Sequence, residues 1–121
     1  MKFDKLKEKT YRVEINFGDG DILTLSRFRP YANGMADAKA LQQRIEETED
    51  EGEIREAVFS SFCSQVLDWD GEDREGNKIE LSVAGLNAAA DSNLLPIRVL
   101  GDILAAAYEQ VETVKKPRPR R

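Results

Sequence analysis

The apolar residues of this chain change their period once, at Pro30, and that change restricts the folds open to it. From Thr10, Tyr11, Val13, Ile15 and Phe17 alternate with Arg12, Glu14 and Asn16, the signature of a half-buried strand. Gly18-Asp19-Gly20-Asp21 supplies residues that tolerate positive φ, and Ile22-Leu23-Thr24-Leu25 resumes a β-prone run to Phe28. A β-hairpin is predicted. After Pro30 the apolar spacing becomes helical. The expected class is therefore α+β, an N-terminal β-hairpin followed by a mainly α-helical domain.

The helical part divides at its turn formers. A first helix is expected from about Met35 or Ala36 to Thr48, with a thin stripe of Ala38, Leu41 and Ile45 that suits the edge of the core. The charged run from Glu46 to Glu53 reads as a solvated connection broken at Gly52. A second helix, about Glu53 to Leu67, carries Ile54, Val58, Phe62 and Val66 every four residues, the strongest stripe in the chain. It is the expected central helix, with Phe62 in its core stripe. A loop with the only tryptophan, Trp69, follows; an indole can cover roughly 200 Å² of apolar surface, so Trp69 is read as its clasp. Ile79 and Leu81 suggest a short extended piece. Ser82 is placed to cap a brief helix from Val83 to Ala90. The final helix should begin near Pro96 and continue to about Val114.

Composition bounds the chemistry. At 121 residues the chain fits one domain, taken as residues 10–114 between a flexible N-terminus (1–9) and a disordered basic tail (115–121). Its longest apolar runs fall far short of the ~20 residues that span a bilayer. Its N-terminus lacks the apolar core of a secretion signal, so a cytoplasmic protein is expected. With no histidine, His-based acid–base catalysis and His metal sites are excluded; the one cysteine, Cys63, lies in a helical apolar pattern and reads as a buried thiol. Residues 1–114 hold 13 basic and 23 acidic side chains, a net −10, whereas 115–121 carries +5. Such a body repels nucleic acid and leaves only the tail to attract it.

Candidate sites are few. Asp68, Asp70, Glu72, Asp73 and Glu75 resemble a calcium loop only in their acidity: in a register starting at Asp68, Asp73 stands where glycine is needed and Ile79 where glutamate is needed. No metal or cofactor is expected, and Ser60, Ser61 and Ser64 lack a base of the usual kind. On the final helix, Gly101, Ala105 and Ala106 leave a low apolar surface beside Tyr108. Glycine inside a helix costs about 1 kcal/mol relative to alanine, so Gly101 calls for a reason. Either this face packs tightly on another helix of the same chain, or it receives a second protomer or a client helix.

The order Val66-Leu67-Asp68-Trp69-Asp70, acidic turn with Gly76, Ile79-Glu80-Leu81-Ser82, leucine-containing helix, Leu95-Pro96 and apolar final helix resembles tail assembly chaperones of long-tailed, non-contractile bacteriophages. The opening strand, Gly-Asp-Gly-Asp turn, second strand and Arg27-Phe28-Arg29-Pro30 extend the resemblance over residues 11–110. There are two departures: Gly71 replaces an apolar residue, and residues 88–93 lengthen the spacer before Leu94. The resemblance implies a non-enzymatic role in the host cytoplasm, binding the tape measure protein and helping to recruit tail tube subunits, with no place in the finished virion. It also implies a longer frameshifted form in many such phages, with which Lys115-Lys116 is compatible. Two other roles remain open: a small nucleic-acid-associated or regulatory protein acting through the basic tail, and a structural tail or head–tail component.

Overall fold

The structure is a computed structural model that describes residues 9–92 and 94–115. Strands β1 (Tyr11–Asn16) and β2 (Ile22–Phe28) form the expected antiparallel hairpin. Its turn needs the residues it has: Gly18, Asp19 and Gly20 adopt φ of 96°, 53° and 81°. The carbonyls of Gly18 and Asp21 accept from Asp21 N and Phe17 N, each at 2.9 Å, and the Asn16 side chain accepts from Gly18 N at 2.8 Å. Val13, Ile15, Leu25 and Phe28 face the core.

Helices α1 (Gly34–Glu47) and α2 (Glu51–Gln65) follow. Gly52 does not break the chain; Asp50 caps α2 by accepting from Gly52 N, and the helix starts ahead of the glycine. α2 stops at Gln65, not at Leu67, and Val66–Trp69 forms a third strand, β3, antiparallel to β2 in the order β1-β2-β3. The cause lies in the residues after β2. Arg29 N donates to Gln65 O at 2.7 Å, while the Arg29 guanidinium and the Tyr31 hydroxyl donate to Ser64 O at 2.5 and 3.2 Å. These donors satisfy carbonyls that a helix end leaves orphaned, and the guanidinium charge suits the negative end of the helix dipole. Val66 keeps its place in the core while its backbone turns extended and pairs with Phe28.

Residues 71–79 fold back as a tight loop with one isolated bridge, Glu72 to Lys78, so the expected extended piece at Ile79–Leu81 forms no strand. Helix α3 (Val83–Asp91) is capped by Ser82, which accepts from Gly85 N at 2.9 Å. Helix α4 (Ile97–Lys115) then runs through the middle of the molecule and touches α1, α2 and β1. It shares with α2 the centre expected for α2 alone: Leu100, Leu104 and Ala107 meet a core that includes Val58, Phe59 and Phe62. α1 lies to one side, with Ala38 and Ile45 buried. Among the described residues, no helix is long and apolar enough to cross a membrane. The segment expected to be flexible, residues 1–9, lies outside the described residues save for Lys9, and the expected basic tail, 115–121, lies outside them save for Lys115, which ends α4.

Candidate functional site

Of the two readings of the final helix at Gly101, Ala105, Ala106 and Tyr108, packing within the chain holds for Gly101 and Tyr108. Gly101 is buried, and a Cβ added to it would lie 3.1 Å from Gln42 Cγ and 3.4 Å from Ile45 Cδ1. The glycine lets α4 lie close on α1, where Gln42 Nε2 also donates to Asp102 at 2.8 Å. Internal packing is thus the reason for Gly101. Tyr108 is 2% exposed, edge-on to Phe28 with ring centroids 5.1 Å apart. Its hydroxyl donates to Gln65 Oε1 and accepts from Tyr31 N at 3.0 Å, and burial pushes the phenol pKa up. Ala105 and Ala106 are half-buried. The four residues do not form one open surface, and no partner is read onto Gly101 or Tyr108.

Trp69 and Phe62 are core residues. Trp69 is 3% exposed and meets Phe62 edge-on at 5.5 Å. Its Nε1 donates to Ile79 O at 2.9 Å, which ties the acidic loop to β3. Gly71 stands where a larger residue has no room: a Cβ there would lie 2.8 Å from the indole. The loop carboxylates face separate partners. Asp68 accepts from Lys78 Nζ at 2.6 Å and Ser26 Oγ at 2.8 Å; these two contacts, led by Lys78, hold its pKa below the usual aspartate value. Asp70 accepts from Thr24 N at 2.7 Å, and Asp73 from the amides of Glu75 and Asn77 at 2.9 and 3.0 Å. Among the described residues, no three His, Cys, Asp or Glu side chains gather as a metal site. Cys63 is half-buried, and that burial pushes its thiol pKa up, away from a reactive thiolate.

An open groove of about 270 Å³ lies where the hairpin end, the Trp69 loop and the start of α4 converge. Phe17 and Ile22 flank the hairpin turn and are 54% and 51% exposed, the largest exposures among the big apolar residues described. Alternation along β1 places Phe17 inward with Val13 and Ile15, but the hairpin extends past the core and leaves it in water. Leu95, Val99, Trp69 and Ile79 complete the groove's apolar lining, with Leu23, Leu94 and Ile103. The acids Asp21, Asp70 and Glu72 line the groove, and none of its described lining residues is basic. General acid–base work needs one carboxyl in a desolvated setting; all three of these are exposed. The arrangement is suited to holding an apolar side chain in the middle and a cation at the rim. Only one sequence signal pointed here: apolar residues on both sides of the Gly-Asp-Gly-Asp turn, where a solvated hairpin end would carry polar ones.

Comparisons with protein-family models, curated proteins and solved structures give no match.

Proposed function

We propose that the protein is a non-enzymatic tail assembly chaperone of a long-tailed, non-contractile phage, acting in the host cytoplasm and absent from the finished virion. It holds the tape measure protein and helps to recruit tail tube subunits. The order of motifs over residues 11–110 supports this reading, and the observation that carries it is the groove with Phe17 and Ile22 exposed beside it. Exposed apolar surface rimmed by polar groups suits a protein that holds another chain. The net −10 over residues 1–114 suits one that must keep an aggregation-prone client dispersed.

The test is co-expression with a tape measure protein from the same genome. The wild-type chain should keep that protein soluble and co-purify with it. A Phe17→Ser, Ile22→Ser variant should remain folded by circular dichroism and lose the client. If the tape measure protein is equally insoluble with and without the wild-type chain, the chaperone reading fails.

A further inference from the structure

We propose that the groove takes an amphipathic helical segment of the partner, one whose apolar anchor residues are flanked by lysine or arginine. The inference rests on the chaperone reading and names the chemistry of the client at that site. Three observations carry it. The first is size: small-molecule pockets span roughly 300–1,000 Å³, and at about 270 Å³ this one accommodates one or two bulky side chains. An apolar helix face delivers such side chains at i and i+4 while the rest of the helix stays outside.

The second observation is charge. Asp21, Asp70 and Glu72 stand at the lining, with no described basic residue among them to neutralise them. Acidic flanks on a partner would be repelled, whereas lysine or arginine would be drawn in and held in register.

The third concerns the alternative of an added β-strand. β2 is paired on both sides, and at the outer edge of β1 the Glu14 carbonyl already accepts from Gln110 Nε2 at 2.5 Å. A strand adding there would have to displace that contact, and the other edge strand, β3, is only four residues long, which leaves a helix as the better guest.

Trp69 supplies the readout, because it is the only tryptophan and it lines the groove. Three tryptophan-free helical peptides are titrated against the full chain while its emission is followed. One has leucines at i and i+4 flanked by lysines, the second has glutamates for the lysines, and the third has serines for the leucines. The lysine–leucine peptide should bind saturably. The other two should bind at least about tenfold more weakly, a difference equivalent to about 1.4 kcal/mol. Raising the salt to about 0.5 M should weaken the first peptide severalfold by screening the rim. Asp21→Asn with Glu72→Gln should remove the preference for lysine over glutamate, and Ile22→Ser should weaken both.

Equal affinity for lysine- and glutamate-flanked peptides overturns the inference, even where the wild-type chain still keeps the tape measure protein soluble. Absence of peptide binding with the client still held moves the site elsewhere on the molecule. A second copy of the chain in the groove would appear as self-association lost in Ile22→Ser, and that also overturns it. Loss of client solubility by the wild-type chain is the separate result that removes the chaperone reading itself.

Discussion

Gly34 packs against Tyr108, and a Cβ added to it would overlap the hydroxyl oxygen and the ring carbon that bears it. Gly34→Ala should therefore destabilise by about 1–3 kcal/mol, the usual cost of overpacking, with more if the ring cannot move; denaturant midpoints measure it. Trp69 works in the opposite sense. Its burial against Phe62 and its hydrogen bond to Ile79 O predict a loss of about 3–5 kcal/mol for Trp69→Ala. A loss well below 1 kcal/mol would mean that the loop is not clasped. Asp68 gives a pH-dependent case. Its folded pKa lies below its ordinary 3.8 because Lys78 and Ser26 hold the charged form. Its stabilisation is thus complete above that value and is lost as the pH falls below it. Carboxyl chemical shifts should show Asp68 titrating below 3.8, and Lys78→Met should move its midpoint upward.

Elements whose instructions are local were legible in the sequence. The Gly-Asp-Gly-Asp turn, the Ser82 cap and the start of α4 after Pro96 each depend on residues within a few positions, and each stands where spacing puts it. The end of α2 was not legible, for a physical reason. Ile54, Val58, Phe62 and Val66 keep a helical interval, yet Val66 is buried with its backbone extended. The decision comes from Arg29 and Tyr31, 35 and 33 residues before the carbonyl of Ser64 that both side chains meet. The groove was hidden in the same way, since Phe17 and Leu95 meet only once the chain has folded. Packing between elements yields a further prediction. Gly101→Val should push α4 off Gln42 and Ile45 and cost about 1–3 kcal/mol, read from thermal or denaturant unfolding.

For the whole molecule, residues that hold the fold and residues that would meet a partner are separable. Ile22 is half in water, so Ile22→Ser should change stability by no more than about 0.5 kcal/mol. Its effect belongs in client retention and peptide affinity. The buried Tyr108 has a different consequence, one that concerns the order of events during synthesis. Its hydroxyl joins Gln65, 43 residues earlier, to the Tyr31 amide, 77 residues earlier. Contacts so distant along the chain are slow to form, because the intervening loop must close before they can stabilise anything. The hairpin's contacts are local and available early, but the junction of sheet, α2 and α4 cannot lock until the last helix has been made. A ribosome stalled before Tyr108 would therefore hold a chain whose core is still open to proteases and chaperones.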